Sequence, residues 1–252
     1  QRQMCIRDRL TGERALKQVS KKFKDHRGVS VRDETSAEIL ESLNIPNVVR
    51  AADLGWLWNV SDEVPSVSFS GFLGVSLRNP QTSRFLPAAM GPKASMPERE
   101  IINLAESINA VAISTGLSVR FISLNEIEDA QLHHRVADKL QVNSELLNPD
   151  LSTLEQCFDG VEAIVTMRYH AGLMGAVKGA GVGCLPFSTK LDSLVSSLGA
   201  AASKADTNNL VSVVESVLSA RSELNEHVGN LQDLSQNNEE IIELLDLSLI
   251  HI

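Results

Sequence analysis

The chain's strongest constraint is a repeating order: short apolar runs that read as strands, each followed by a stretch with helical spacing. From residue 72 onward the spacing predicts strands over 72–77, 117–124, 161–167 and 183–187, each residue pattern apolar and bounded by turn-type residues. Between and after them it predicts helices over 98–114, 127–140, 171–178 and 191–198, a short helix over 151–157, and two closing helices over 208–220 and 224–245. Strands that alternate with helices have to be crossed over, so the expected architecture is α/β with a doubly wound parallel sheet. The earlier part of the chain carries a shorter version of the same pattern. A basic amphipathic helix is expected over 10–25, with Ala15, Val19 and Phe23 on one face, followed by strand 28–31, a helix over 36–43 opened by Asp33 or Thr35, and strand 48–52 ending at Asp53. A polar stretch, 61–70, reads as a linker, and 79–97 as a long irregular loop. The expected domains are therefore 10–62, the second half of an N-terminal α/β domain, and 66–245, a C-terminal Rossmann-like domain.

In an open parallel sheet, ligands sit in the crevice beyond the carboxyl ends of the strands. That rule selects residues lying directly after predicted strands: Arg78, Arg168, His170 and the turn 188–190 with Lys190. Arg offers a planar fork for carboxylate or phosphate, His a proton exchanged near neutrality, and Lys a compact positive charge. A helix rich in small residues (Gly172, Gly175, Ala176, Gly179) follows His170. Such residues allow close backbone approach, and the helix start favours an anion. The blander readings stand beside these. His170 can be a surface or capping residue, Arg168 can cap a helix or pair with a carboxylate such as Asp192, and Lys190 can be solvated. Arg32 is a further candidate, although Asp33 as a helix cap and Arg32 as partner of a carboxylate weigh slightly more. His133 and His134 read as surface, and the GxGxG string at 179–183 precedes a strand, so it is not a dinucleotide fingerprint.

The formal charge of −9 argues against nucleic acid as a partner. Cys5, Cys157 and Cys184 show neither disulfide nor zinc spacing, which points to a reducing cytoplasm, with no metal or cofactor expected. No apolar run approaches the length of a membrane span. Residues 1–9 and 247–252 resemble translated adaptor sequence, so the natural protein is expected to extend upstream.

The segments SVRDETSAEIL, AADLGWL and GVSLRN, and above all EAIVTMRYHAGLMGAVKGAGVGCLPFSTKLDSLVSSLG, resemble the polysaccharide pyruvyl transferase family. That family shows a strand, an Arg-x-His followed by small residues, then Gly-Val-Pro and an aromatic–Asp–Pro–Lys turn. Arg168, His170 and Lys190 fall on those positions. Gly183-Cys184-Leu185-Pro186 and Phe187-Ser188-Thr189-Lys190 depart from the last two motifs. The resemblance implies two Rossmann-like domains of GT-B type, the first incomplete here. It implies transfer of pyruvate from phosphoenolpyruvate to the hydroxyls of a cell-surface polysaccharide sugar, giving a ketal. His170 would be the general acid, with Arg168, Lys190, Arg78 and Arg32 holding the substrate. The alternatives are a GT-B glycosyltransferase using a nucleotide sugar, or an inactive ligand-binding fragment.

Overall fold

The computed structural model describes residues 13–23, 28–58, 71–79, 96–188 and 190–239. The expected linker at 61–70, most of the loop at 79–97 and both chain ends lie outside the described residues. The chain divides into two compact units, residues 1–58 with 228–252, and residues 59–227. Residues from Val228 onward, which the sequence reading assigns to the second domain, thus group with the first unit.

The first unit contains α1 (Glu13–Phe23), β1 (Val29–Val31), α2 (Glu34–Ser42) and β2 (Val48–Arg50). β1 and β2 pair in parallel, and Val19, Phe23, Val31, Ala37, Leu40 and Ile45 form its core. Asp33 caps α2 through a hydrogen bond from the Ser36 N–H, as its position before the helix suggests. The C-terminal segment is tied to this unit by polar bonds: the Asn238 side chain donates to the Ala52 carbonyl at 3.1 Å and the Ser235 hydroxyl to the Asp53 carbonyl at 3.1 Å.

The second unit is built on a six-stranded sheet in the order β5-β4-β3-β6-β7-β8. Its strands are β3 (Phe72–Ser76), β4 (Ser118–Ile122), β5 (Ser144–Leu147), β6 (Val161–Thr166), β7 (Gly181–Cys184) and β8 (Ala202–Lys204), all paired in parallel. Renumbered from β3, this is the 3-2-1-4-5-6 order of doubly wound sheets, and its direction reverses between β3 and β6. Its helices are α3 (Glu98–Thr115), α4 (Glu126–Ala137), α5 (Tyr169–Val177), α6 (Lys190–Leu198), α7 (Leu210–Ser219) and α8 (Leu224–Gln236), the last continuing into the residues grouped with the first unit. Leu104, Ile108, Leu132, Val136, Val213 and Val217 of α3, α4 and α7 enter one core with Val75, Val119, Phe121 and Val165 of the strands. α5 and α6 pack together.

Three expectations are corrected. The sequence reading has no strand at 144–147 or 202–204, where edge strands form. At 151–157 there is a turn followed by a 3-10 turn at Gln156–Phe158, rather than a short helix. And β7 starts two residues before the expected 183, inside the glycine string. The reason is packing against α7: a Cβ on Gly181 would lie 2.7 Å from the Val217 carbonyl oxygen. Only a residue without a side chain lets the strand pass beneath that helix. Gly181→Ala is expected to cost about 1–3 kcal/mol, because the obstacle is backbone and cannot rotate away. Urea denaturation checks this, and an unchanged midpoint would contradict the packing argument.

Candidate active site at the sheet switch point

The crevice predicted by the strand order lies beyond the carboxyl ends of β3 and β6, and backbone bonds keep that edge level. Past the strand ends, the Met167 N–H donates to the Ser76 carbonyl at 2.9 Å, Leu185 N–H to Thr166 at 2.9 Å, and Ala205 N–H to Cys184 at 2.9 Å. Arg78 and Asn79 leave β3, Arg168 and His170 leave β6, and the segment 185–188 leaves β7. Arg78, Arg168, His170 and Lys190 therefore share one sheet edge. Arg32 belongs to the other unit, where it pairs with the buried carboxylate of Asp53 at 2.5 Å. That is the carboxylate pairing weighed against an anion-binding role from sequence. Asp53 also accepts from the Gly55 N–H and so caps the 3-10 turn Leu54–Leu57 that buries Trp56.

Each residue at the edge has a distinct setting. Arg78 is half-buried, its guanidinium over the Phe187 ring at 5.0 Å from the centroid, a cation–π arrangement that orients the fork. Arg168 immediately precedes α5. Its Nε and Nη2 grip Asp129 side-on, at 3.0 Å to Oδ2 and 2.5 Å to Oδ1. Asp129 is fully buried. The backbone at Arg168 is fixed as well: its N–H donates to the Thr166 hydroxyl at 2.8 Å, and that hydroxyl donates to its carbonyl at 2.8 Å. His170 is exposed in the first turn of α5, its ring edge-on to Tyr169 at 5.4 Å. Lys190 opens α6 and is half-buried. α5 lies close against the sheet because Gly172 and Gly175 face Leu194 and Ile164, where a Cβ would come within 2.6 and 2.8 Å.

Sequence reasoning misses the layer beneath these residues and places one of its members wrongly. His133, read as a surface residue, is buried at 1% exposure. Its Nε2 accepts the Leu77 N–H at 2.9 Å, at the residue just before Arg78. A backbone N–H can only donate, so the ring proton sits on Nδ1, which then donates to the Ser123 hydroxyl at 2.9 Å. The signal was present: Asp129, Leu132, His133 and Val136 recur at i, i+3, i+4, i+7, so the two polar residues lie in the buried stripe of α4. One turn of α4 thus holds both strand ends, Leu77 through His133 and Arg168 through Asp129.

Burial, with the Arg168 cation adding to it, lowers the His133 pKa from 6.5 to about 4. The sign follows: below 6.5 the unfolded chain takes up a proton that the folded chain refuses until about pH 4. The stabilising effect of a neutral His133 is complete above 6.5 and is lost as pH falls through that window, by about 3 kcal/mol at 1.36 kcal/mol per unit. Denaturation at pH 7 and pH 4.5 should show wild type losing more stability than His133→Asn. Equal losses would exclude His133 as a source of the acid sensitivity. The Cys184 thiol is pushed up to about 12 by burial and is therefore no nucleophile. Among the described residues no cluster of His, Cys, Asp and Glu could hold a metal, and no helix is long and apolar enough to cross a membrane.

The family model for polysaccharide pyruvyl transferase matches residues 8–186. The chain belongs to the polysaccharide pyruvyl transferase family. As a member of this transferase family it carries the Arg168-x-His170 pair inside the matched region, whereas Lys190 lies just beyond it. No curated protein matches the chain by sequence. Among solved structures, this member of the family is similar to the S. aureus MnaA–UDP co-structure (TM-score 0.58, 13% identity, covering 86% of this chain and 59% of that one). It is also similar to UDP-GlcNAc 2-epimerase from Neisseria meningitidis bound to UDP-GlcNAc (0.56, 14%, 87% and 60%) and to TarM (0.51, 12%, 96% and 46%). These likenesses show the fold, a Rossmann-like α/β fold of GT-B type. The chain spans about half to three-fifths of the length of these structures.

Proposed function

We propose that the protein transfers pyruvate from phosphoenolpyruvate to two hydroxyls of a saccharide, forming a ketal and releasing phosphate. The observation that carries this reading is the gathering of Arg78, Arg168 and His170 at the switch point of a chain belonging to this family. Phosphoenolpyruvate brings a carboxylate and a phosphate, and on an acidic protein they need local cations. Arg78, oriented on Phe187, and Lys190, at the start of α6, supply charge from the two flanks of the edge. Arg168 contributes a cation whose position is set by Asp129, with one edge of its fork committed to that carboxylate.

In this reading His170 protonates the methylene carbon, and the carbon bearing the carboxylate becomes electrophilic. The first saccharide hydroxyl adds there; the C–O bond to phosphate breaks with its electron pair going to phosphate. The second hydroxyl closes the ketal. Of the two hydroxyl protons, one restores His170 and the other leaves on hydrogen phosphate, so atoms and charge balance. An exposed imidazole in the first turn of α5 lies open to both the donor and the incoming hydroxyl, which suits a group that gives one proton and takes another.

The test is phosphate release from phosphoenolpyruvate with and without oligosaccharide acceptors, alongside UDP release from UDP-GlcNAc. Acceptor-dependent phosphate release is expected. UDP release without phosphate release would favour the nucleotide-sugar alternative, and neither product the ligand-binding one. Soluble cytoplasmic action on a precursor of a cell-surface polysaccharide belongs to the same proposal.

A further inference from the structure

A pocket of about 500 Å³ opens beyond β7 and β8, next to the switch-point edge but outside the residues used above for the anion. Its volume lies in the range of small-ligand sites. Leu185, Leu191 and Phe187 give it an apolar floor, and Ser188, Asp192 and Lys204 supply polar groups. Asp192 and Lys204 form an ion pair at 2.7 Å, with side chains 39% and 68% exposed. A pair this open to water holds itself weakly and can be parted by a ligand at little cost. Phe187 belongs to both regions: it lines the pocket, and the Arg78 guanidinium stacks on its ring.

We propose that this pocket is the acceptor subsite and takes a neutral hexose ring of the saccharide. The inference rests on the pyruvyl transfer reading, and it names the residues that select the acceptor. A pyranose has an apolar C–H face and an equatorial rim of hydroxyls. An aromatic ring flanked by leucines suits the face, while a carboxylate, an ammonium and a serine hydroxyl suit the rim, with acceptors and donors both present. The net charge of the Asp192–Lys204 pair is zero, which fits a neutral ring better than a second anion. Position agrees: β7 is the immediate neighbour of β6, and adjacent strands lie about 4.8 Å apart. A ring beyond β7 therefore sits one strand from the residues that follow β6, within reach of a bond formed there.

The experiment is saturation-transfer NMR on the purified protein with methyl β-D-galactopyranoside, methyl α-D-mannopyranoside and methyl N-acetyl-β-D-glucosaminide, each with and without phosphoenolpyruvate. At least one hexoside should bind with millimolar Kd, and its axial ring protons should receive the strongest saturation. Asp192→Ala should raise that Kd at least about tenfold, the loss of a charge-assisted hydrogen bond, and Phe187→Leu should shift saturation away from the C–H face. Phosphoenolpyruvate should not displace the hexoside, and its own Kd should not change in Asp192→Ala. Failure of all three hexosides to bind, binding indifferent to both substitutions, or displacement by phosphoenolpyruvate each overturns the subsite. UDP binding that depends on Asp192 and Lys204 in place of hexoside binding overturns it too, and makes the pocket a nucleotide site. Failure of the pyruvyl transfer reading looks different: the hexoside binds as described, but phosphoenolpyruvate neither binds nor yields phosphate.

Discussion

Replacing His170 with Ala is expected to lower turnover by roughly 10²–10⁴-fold, the range for a positioned general acid, with little change in stability. The separation is possible because of where the residue lies. His170 is exposed at the first turn of α5, and no core cluster includes it. Substitution at such a surface position ordinarily moves stability by no more than about 0.5 kcal/mol. Phosphoenolpyruvate affinity should shift far less than turnover, since in this reading its charges are met by Arg78, Arg168 and Lys190. Lys190→Ala should do the reverse, weakening binding before it slows chemistry. Steady-state kinetics on both variants, with binding measured separately, decides the matter. Near-wild-type turnover in His170→Ala would remove the imidazole from the mechanism and leave it a surface residue at a helix start.

Asp129→Ala is expected to damage the fold of the second unit by about 3–5 kcal/mol, because it removes the carboxylate that the largely buried Arg168 grips with two nitrogens. The reciprocal change, Arg168→Ala, takes the guanidinium from a carboxylate with no exposure at all and should cost about as much. Removing both partners together, as in Asp129→Leu with Arg168→Met, should recover most of that loss, since a buried ion pair is often replaceable by apolar residues of similar volume. Denaturant titration of the two singles and the double forms a cycle. Additive losses would show that the two residues do not act as a pair. This pairing also changes what Arg168→Ala means for function: any loss of anion binding must be read after correcting for the unfolded fraction.

Much of the second unit was legible because its signals are local. Apolar runs bounded by turn residues mark β3, β4 and β6, and the rule about strand ends follows once those strands are parallel. That is why Arg78, Arg168 and His170 could be selected together. The edge strands β5 and β8 escaped because they carry too few buried side chains to stand out: Ser144–Leu147 is only partly buried throughout, and Ala202–Lys204 ends exposed. β7 was misplaced because its glycines look like turn residues, while what Gly181 provides, clearance beneath Val217, depends on a helix more than thirty residues later. His133 was misread for a different reason. An ionisable residue suggests water, and only its companions in the stripe, Leu132 and Val136, reveal that it faces inward as a neutral ring.

The way α4 is used has a practical consequence for redesign. Its Asp129 and His133 fasten the ends of β6 and β3 from the face where α3 and α7 also pack, whereas the wall of the neighbouring pocket comes from 185–188 after β7, Leu191 and Asp192 of α6, and Lys204 of β8. Anchoring and selection are thus written in separate stretches of chain. A library confined to Ser188, Leu191, Asp192 and Lys204 would leave untouched both the clasp on the β3 and β6 ends and the groups assigned to the anion, so acceptor preference could drift, in nature or in the laboratory, while the chemistry beside it is inherited unchanged.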